Sequence, residues 1–212
     1  GRYVDDVQLP GALHGAILRS PEPHAEIAAI DASAALQHPK VHAVLTGADL
    51  GEMTWMPTLS GDRQAVLAPD RVRFQGQEVA FVVADDHYAA RDALELIDVT
   101  YDPLPVVVDP REALEAGAPP VRDEGNLAFD WQAGDPAATA AAFARADVVV
   151  EQRMVFPRVH PAPLETCGAV ADYDRVSGRL TVWCTTQAPH AHRTLYAQIT
   201  GIPEHRIRVI SP

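Results

Sequence analysis

The residues best suited to chemistry lie between positions 159 and 193. The segment Thr185-Thr186-Gln187-Ala188-Pro189-His190 packs an amide side chain, a helix-starting proline and a histidine into one strand-to-helix junction. Such a junction aims backbone N–H groups and the positive end of a helix dipole at whatever binds there. The chemistry on offer is recognition of an anion or of a ligand oxygen. Gln187 has two readings: it caps the helix or pairs with a loop backbone, or its amide donates to an oxygen of a ligand. Just upstream, His160-Pro161-Ala162-Pro163-Leu164-Glu165-Thr166-Cys167 places a second polar cluster in an otherwise apolar strand. Glu165 is there either a solvated carboxylate or a site carboxylate. His190 and His192, in the first helical turn, are surface residues or metal ligands.

Other chemistries are absent from the sequence. No Cys/His spacing of the zinc type occurs, and there is no G-x-S-x-G, P-loop or G-x-G-x-x-G motif. A net charge of −12 leaves no basic stripe for phosphates, which argues against nucleic acid as a partner. No run of 18 apolar residues exists, so no membrane span is expected. The first residues lack the pattern of a signal peptide, and the two cysteines are too few for a disulfide scaffold. A cytoplasmic location is the default. Cys167 and Cys184 read as buried small hydrophobes, although their places on two arms of one hairpin leave a bond between them open.

The elements that position these residues can be placed by pattern. In the first half, residues 13–18, 25–30 and 41–45 read as strands. Asp31 suits a helix N-cap before residues 32–37. Residues 51–70 read as a long loop. The apolar run 79–83 fits a strand covered on both faces. Phe74-Gln75-Gly76-Gln77-Glu78 before it needs a positive φ at Gly76. Asp86 caps a helix over 87–96. Residues 99–108, broken by prolines, read as an edge strand. These make an α+β module of about 110 residues.

Residues 116–126 have linker composition. The second half then opens with residues 127–131. Asp135-Pro136 starts a short helix over 137–144, and 148–159 reads as a long strand. Residues 164–173 and 180–186 form a hairpin. A helix over 189–199 stops at Gly201, and 207–210 is a last strand.

The wording of the chain resembles a known family. Tyr3-Val4-Asp5-Asp6, Leu9-Pro10-Gly11, Arg19-Ser20-Pro21, Gln75-Gly76-Gln77-Glu78 and Tyr101-Asp102-Pro103-Leu104-Pro105 are similar to the large, molybdenum-binding subunit of the xanthine dehydrogenase and aldehyde oxidase family. His160-Pro161, Pro163-Leu164-Glu165-Thr166, Thr186-Gln187-Ala188-Pro189-His190 and Gly201-Ile202-Pro203 extend the match. The wording is most like that of large chains of the aerobic carbon monoxide dehydrogenase type.

The resemblance implies an α+β fold: an α/β hammerhead domain over 1–110, a linker over 111–125, and over 126–212 the first part of a molybdopterin-binding domain. It implies oxidation of carbon monoxide, an aldehyde or an N-heterocycle with water as oxygen source. Electrons then pass to iron–sulfur and FAD-binding subunits or domains, in an oligomer of heterotrimers. It also places Gln187 beside the molybdenum, donating a hydrogen bond to one of its oxygen ligands, with no side chain of this chain coordinating the metal. The family's glycine-rich loop and distant catalytic glutamate are not among these residues. The chain therefore reads as an N-terminal portion, with no bound molybdopterin and no turnover expected from it alone. The competing expectation is a non-catalytic scaffold or subunit-docking module that keeps the hammerhead fold.

Overall fold

The computed structural model of the chain describes residues 1–51, 55–57 and 63–212. In chain order the elements are β1 (His14–Arg19), β2 (Ala25–Asp31), α1 (Ser33–Leu36), β3 (Val41–Thr46), β4 (Trp55–Pro57), β5 (Arg63–Ala65), β6 (Arg71–Val72), β7 (Glu78–Ala84), α2 (His87–Leu94) and β8 (Asp98–Pro103). They continue with α3 (Pro136–Ala144), β9 (Ala169–Asp174), β10 (Arg179–Cys184), α4 (Pro189–Thr200) and β11 (Ile207–Ile210). This mixed α+β content is the expected fold class. By Cα proximity the chain divides into one unit of Gly1–Ala128 with Cys167–Pro212, and a second of Phe129–Thr166.

Within the first unit, residues 1–105 build two three-stranded sheets. β7 is the centre of an antiparallel sheet in the order β1-β7-β3, and β2 is the centre of a second, β6-β2-β8. β7 alternates between two apolar environments, as strand geometry dictates. Ala80 and Val82 pack with Ala35 of α1 and with Ala93 and Ile97 of α2 and its end. Val79 joins Ala25, Ala68 and Val72. That two-sided burial is why residues 79–83 read as a continuous apolar run. The α2 cap is formed as expected, Asp86 accepting from Ala89 N at 2.8 Å. Gly76 has φ +88, in the turn that leads into β7. β8 lies at a sheet edge, but it ends at Pro103 rather than running to 108.

Several expectations need correction. Asp31 closes β2, and Ala32 is the N-cap of α1; Asp31 instead accepts from Ser33 N two residues on. Residues 51–70 are not simply a loop, because β4 and β5 pair there as an antiparallel ribbon. The rest of that expectation, residues 52–54 and 58–62, lies outside the described residues. The 111–125 connection is not corrected by this: it carries local hydrogen bonds, the Asn126 amide donating to Ala113 O and Pro119 O and accepting from Val121 N.

The remaining sheet of the first unit is β11-β10-β9. β9 and β10 form the expected antiparallel hairpin, with Arg179 opposite Asp174. Its first arm begins at Ala169, not at 164. β10 and β11 are parallel, with Leu180 opposite Ile207. Parallel neighbours need a crossover connection, and α4 supplies it. Gly201, at φ +71, ends α4 in the left-handed conformation that glycine adopts without a Cβ penalty.

In the second unit, α3 starts as predicted. Asp135 accepts from Ala138 N at 2.9 Å, and Pro136 takes the first turn. Residues 148–159 do not form a strand, and 127–131 form no regular element. A strand needs a neighbouring ladder, and among the described residues none pairs with 148–159.

Candidate functional site

The site is the carboxyl end of β10, where the chain turns into α4. β10 is the middle strand of its sheet, and Val182 and Cys184 are buried. In open sheets with parallel strands, the space beyond the strands' carboxyl ends is the usual place for a ligand. Residues 185–188 occupy that position.

Both sides of Gln187 are held. Thr185 N donates to Gly168 O at 3.1 Å, tying the strand end to the start of β9. Thr186 Oγ1 accepts from Ala188 N at 2.9 Å, a local turn that sets the entry to α4. Ser211 Oγ donates to Thr186 O at 2.8 Å, so the end of β11 is fastened to the end of β10. His192 Nε2 lies 3.5 Å from Thr186 Oγ1, while its Nδ1 lies 3.8 Å from Cys184 Sγ. Tyr196 stacks edge-on against His192 and donates to Cys184 Sγ at 4.0 Å. Burial, and then the adjacent Cys184, push the Tyr196 phenol up to about 12. It is therefore a neutral hydrogen-bond donor in the physiological range.

Against this scaffold the Gln187 side chain is exposed, and its amide makes no hydrogen bond among the described residues. The capping reading of Gln187 is not what the structure contains: the N-cap of α4 is Ala188, with no side-chain cap. By contrast, Asp86 and Asp135 cap α2 and α3. An uncapped N-terminal turn and a free amide donor thus share one end of one element pair. The arrangement can donate hydrogen bonds and present positive dipole to an oxygen-rich ligand.

The other candidates fall out differently. His190 is exposed. His192 is a structural partner of Cys184 and Thr186, neither a bare surface residue nor part of a metal cluster. Among the described residues, no three or more His, Cys, Asp or Glu side chains are arranged to hold a metal ion. What the strand end offers is hydrogen-bond donors, the Gln187 amide and the uncapped first turn of α4, and these suit the oxygen ligands of a metal held by an organic cofactor.

Glu165 is half-buried and precedes β9, in no strand, where a strand residue was expected. Together with His160 it belongs to the second unit. Within that segment Ala162 adopts φ +46 directly before Pro163. That conformation costs a non-glycine residue about 1–3 kcal/mol and is disfavoured again by the following proline ring. Both cysteines are free thiols. Cys184 is buried as expected, but Cys167 is exposed, because it precedes the strand that was expected to include it.

Sequence reasoning missed Ser211 and the roles of Thr186 and Tyr196. The threonine two residues before Ala188 carried a usable signal, since Ser and Thr hydroxyls often accept from the backbone two residues on. Ser211 carried none, because its partner lies 25 residues away.

Comparison with known proteins agrees with this geometry. Residues 1–105 match the family model for the aldehyde oxidase and xanthine dehydrogenase a/b hammerhead domain, and 120–212 match that for the molybdopterin cofactor-binding domain. The chain is 51% identical to the carbon monoxide dehydrogenase large chain of Hydrogenophaga pseudoflava, over 100% of its own length and 28% of that protein's. It is similar to carbon monoxide dehydrogenase from Oligotropha carboxidovorans, with a TM-score of 0.91 and 50% identity, covering 100% of this chain and 28% of that one. It is also similar to quinoline 2-oxidoreductase from Pseudomonas putida 86, with a TM-score of 0.84 and 37% identity, covering 100% and 28%. The chain thus spans little more than a quarter of the length of these relatives. With a hammerhead domain and the matched part of a molybdopterin cofactor-binding domain in order along its length, the chain belongs to the aldehyde oxidase and xanthine dehydrogenase family.

Proposed function

We propose that these residues are the N-terminal portion of the large subunit of a molybdenum-dependent oxidoreductase. It would oxidise carbon monoxide, an aldehyde or an N-heterocycle with water as the oxygen source. The relatives' names support this class: they include carbon monoxide dehydrogenase, nicotine 6-hydroxylase and quinoline 2-oxidoreductase. The proposed organisation is a hammerhead domain over 1–110, a connection over 111–125, and the first part of the cofactor-binding domain over 126–212. Iron–sulfur and FAD-binding subunits or domains would accept the electrons, in an oligomer of heterotrimers. Among the described residues no helix is long and apolar enough to cross a membrane; a cytoplasmic setting is part of this reading.

The observation that carries the proposal is the unpartnered Gln187 amide on a backbone held at both neighbours. In this reading Gln187 donates its amide N–H to the ligand sphere of the metal. Thr186, Ser211 and His192 hold the backbone on either side of that donor, and the N-terminal turn of α4 adds favourable dipole for negative charge. Bound there, the molybdenum cofactor supplies the redox and oxygen-transfer chemistry, and the chain supplies orientation. Donors fixed beforehand act without reorganising during the reaction, which is what makes them effective.

Metal analysis tests the reading. The complete subunit, purified from a host that makes the cofactor, should hold about one molybdenum per chain, and the 212 residues alone far less, because most of the cage is missing. A complete subunit that folds, assembles and holds no molybdenum would instead favour a docking module without chemistry.

A further inference from the structure

Cys184, His192 and Tyr196 form a polar cluster behind the strand end, and donation by Gln187 does not by itself require it. Cys184 closes β10 and is 4% exposed. His192 and Tyr196 stand four residues apart on α4, so they share one face of that helix. Their rings meet edge-on at 5.8 Å. Tyr196 Oη donates to Cys184 Sγ at 4.0 Å. His192 bridges helix and strand end, with Nδ1 3.8 Å from Cys184 Sγ and Nε2 3.5 Å from Thr186 Oγ1.

Both ring nitrogens are therefore engaged. In a neutral imidazole one nitrogen donates and the other accepts, and a thiol and a hydroxyl can each take the complementary part. The Thr186 hydroxyl also accepts from Ala188 N at 2.9 Å. A polar chain thus runs from buried Cys184 through His192 and Thr186 to the residue after Gln187. Apolar side chains alone would hold a helix against a strand, without burying polar groups. A satisfied polar chain adds what they lack, one defined geometry.

We propose that His192 is a positioning residue for the Gln187 donor: anchored by Cys184 and Tyr196, it fixes the Thr186 hydroxyl and with it the turn that aims the amide. This rests on the reading that Gln187 donates to the ligand sphere of the metal. His192 touches neither metal nor substrate in this role. Its effect passes through the placement of one donor, where an error of about 1 Å is enough to slow a reaction.

Two measurements test the proposal. The first is amide relaxation by NMR on the 212-residue chain. Wild type should give order parameters of about 0.85 at Gln187 and Ala188, as in rigid backbone. His192→Phe, which keeps a ring against Tyr196 and removes both nitrogens, should lower them below about 0.6 while β10 and the rest of α4 stay rigid. The second is kcat per bound molybdenum of the complete enzyme, with carbon monoxide, benzaldehyde and quinoline as probes of the three substrate classes. His192→Phe should lower it about tenfold with metal retained, as when a metal site loses an outer partner. His192→Gln, whose amide still reaches Thr186, should recover most of that loss. In a Gln187→Ala background, His192→Phe should have no further effect, because it acts through that side chain.

Order parameters already low in wild type, or unchanged in the variant, would overturn the proposal. So would a loss of turnover that persists in the Gln187→Ala background, or loosening of the whole of α4 with a lower melting temperature, which is the mark of packing alone. Should His192→Phe not fold, Tyr196→Phe removes a single hydroxyl and carries both measurements with the same signs. If Gln187→Ala leaves turnover per molybdenum unchanged while the order parameters fall as expected, the reading of Gln187 fails and the fastening of the turn by His192 stands.

Discussion

At the scale of single residues, the structure separates groups that hold the fold from groups left free. Asp86 belongs to the first kind. The Ala89 backbone amide, and then the Lys40 ammonium at 2.9 Å, hold its carboxyl down at about 2. A carboxylate with a lowered folded-state pKa stabilises the fold above its unfolded value, about 4, and that contribution is lost as pH falls through the folded value. Acid unfolding followed by circular dichroism should therefore show wild type losing this contribution between about pH 4 and pH 2. Asp86→Ala should melt lower than wild type at pH 7, with the difference narrowing over that window. Asp86→Asn should recover part of the loss, because an amide oxygen still caps α2. A difference as large at pH 2 as at pH 7 would contradict the assignment. Gln187 belongs to the second kind. Its residue type and place before Pro189 were legible in the sequence; its lack of any partner was not, since that depends on Thr186 and Ser211 holding the backbone from elsewhere.

At the scale of elements, β10, α4 and β11 form the crossover unit that presents the site. Gly201 closes α4 at φ +71 with open space where a Cβ would go. Gly201→Ala should therefore cost about 1 kcal/mol through backbone conformation alone, with no clash. A loss several times larger in thermal or denaturant unfolding would mean that the turn is packed more tightly than it is here. Elements with a local signal could be read from the sequence. The capped helices α2 and α3, the apolar centre β7 and the glycine-terminated α4 all carry their determinants within a few residues. Residues 148–159 carry an equally strong strand pattern and form none, because a strand is completed by a neighbouring ladder, and among the described residues none pairs with them. The β4–β5 ribbon failed in the opposite sense: its short arms sit among glycines and polar residues that hid the pairing.

At the scale of the whole molecule, the first unit is held by the two faces of β7. Val82 is fully buried there. Val82→Ala should cost about 2–3 kcal/mol by lost transfer and the cavity left behind, measured by denaturant unfolding of the 212-residue chain. A cost below about 0.5 kcal/mol would mean that the helices close over the gap and that the core is looser than drawn. The site needs this rigidity, since the value of a fixed donor lies in its not having to move. The most direct measurement is therefore the turnover number per bound molybdenum of the complete enzyme carrying Gln187→Ala, taken together with its melting temperature and metal content. The account predicts an unchanged melting temperature, retained molybdenum, and turnover lower by about a hundredfold, the usual effect of losing one such fixed donor, near 3 kcal/mol. Unchanged turnover per molybdenum, with or without a lower melting temperature, would contradict it.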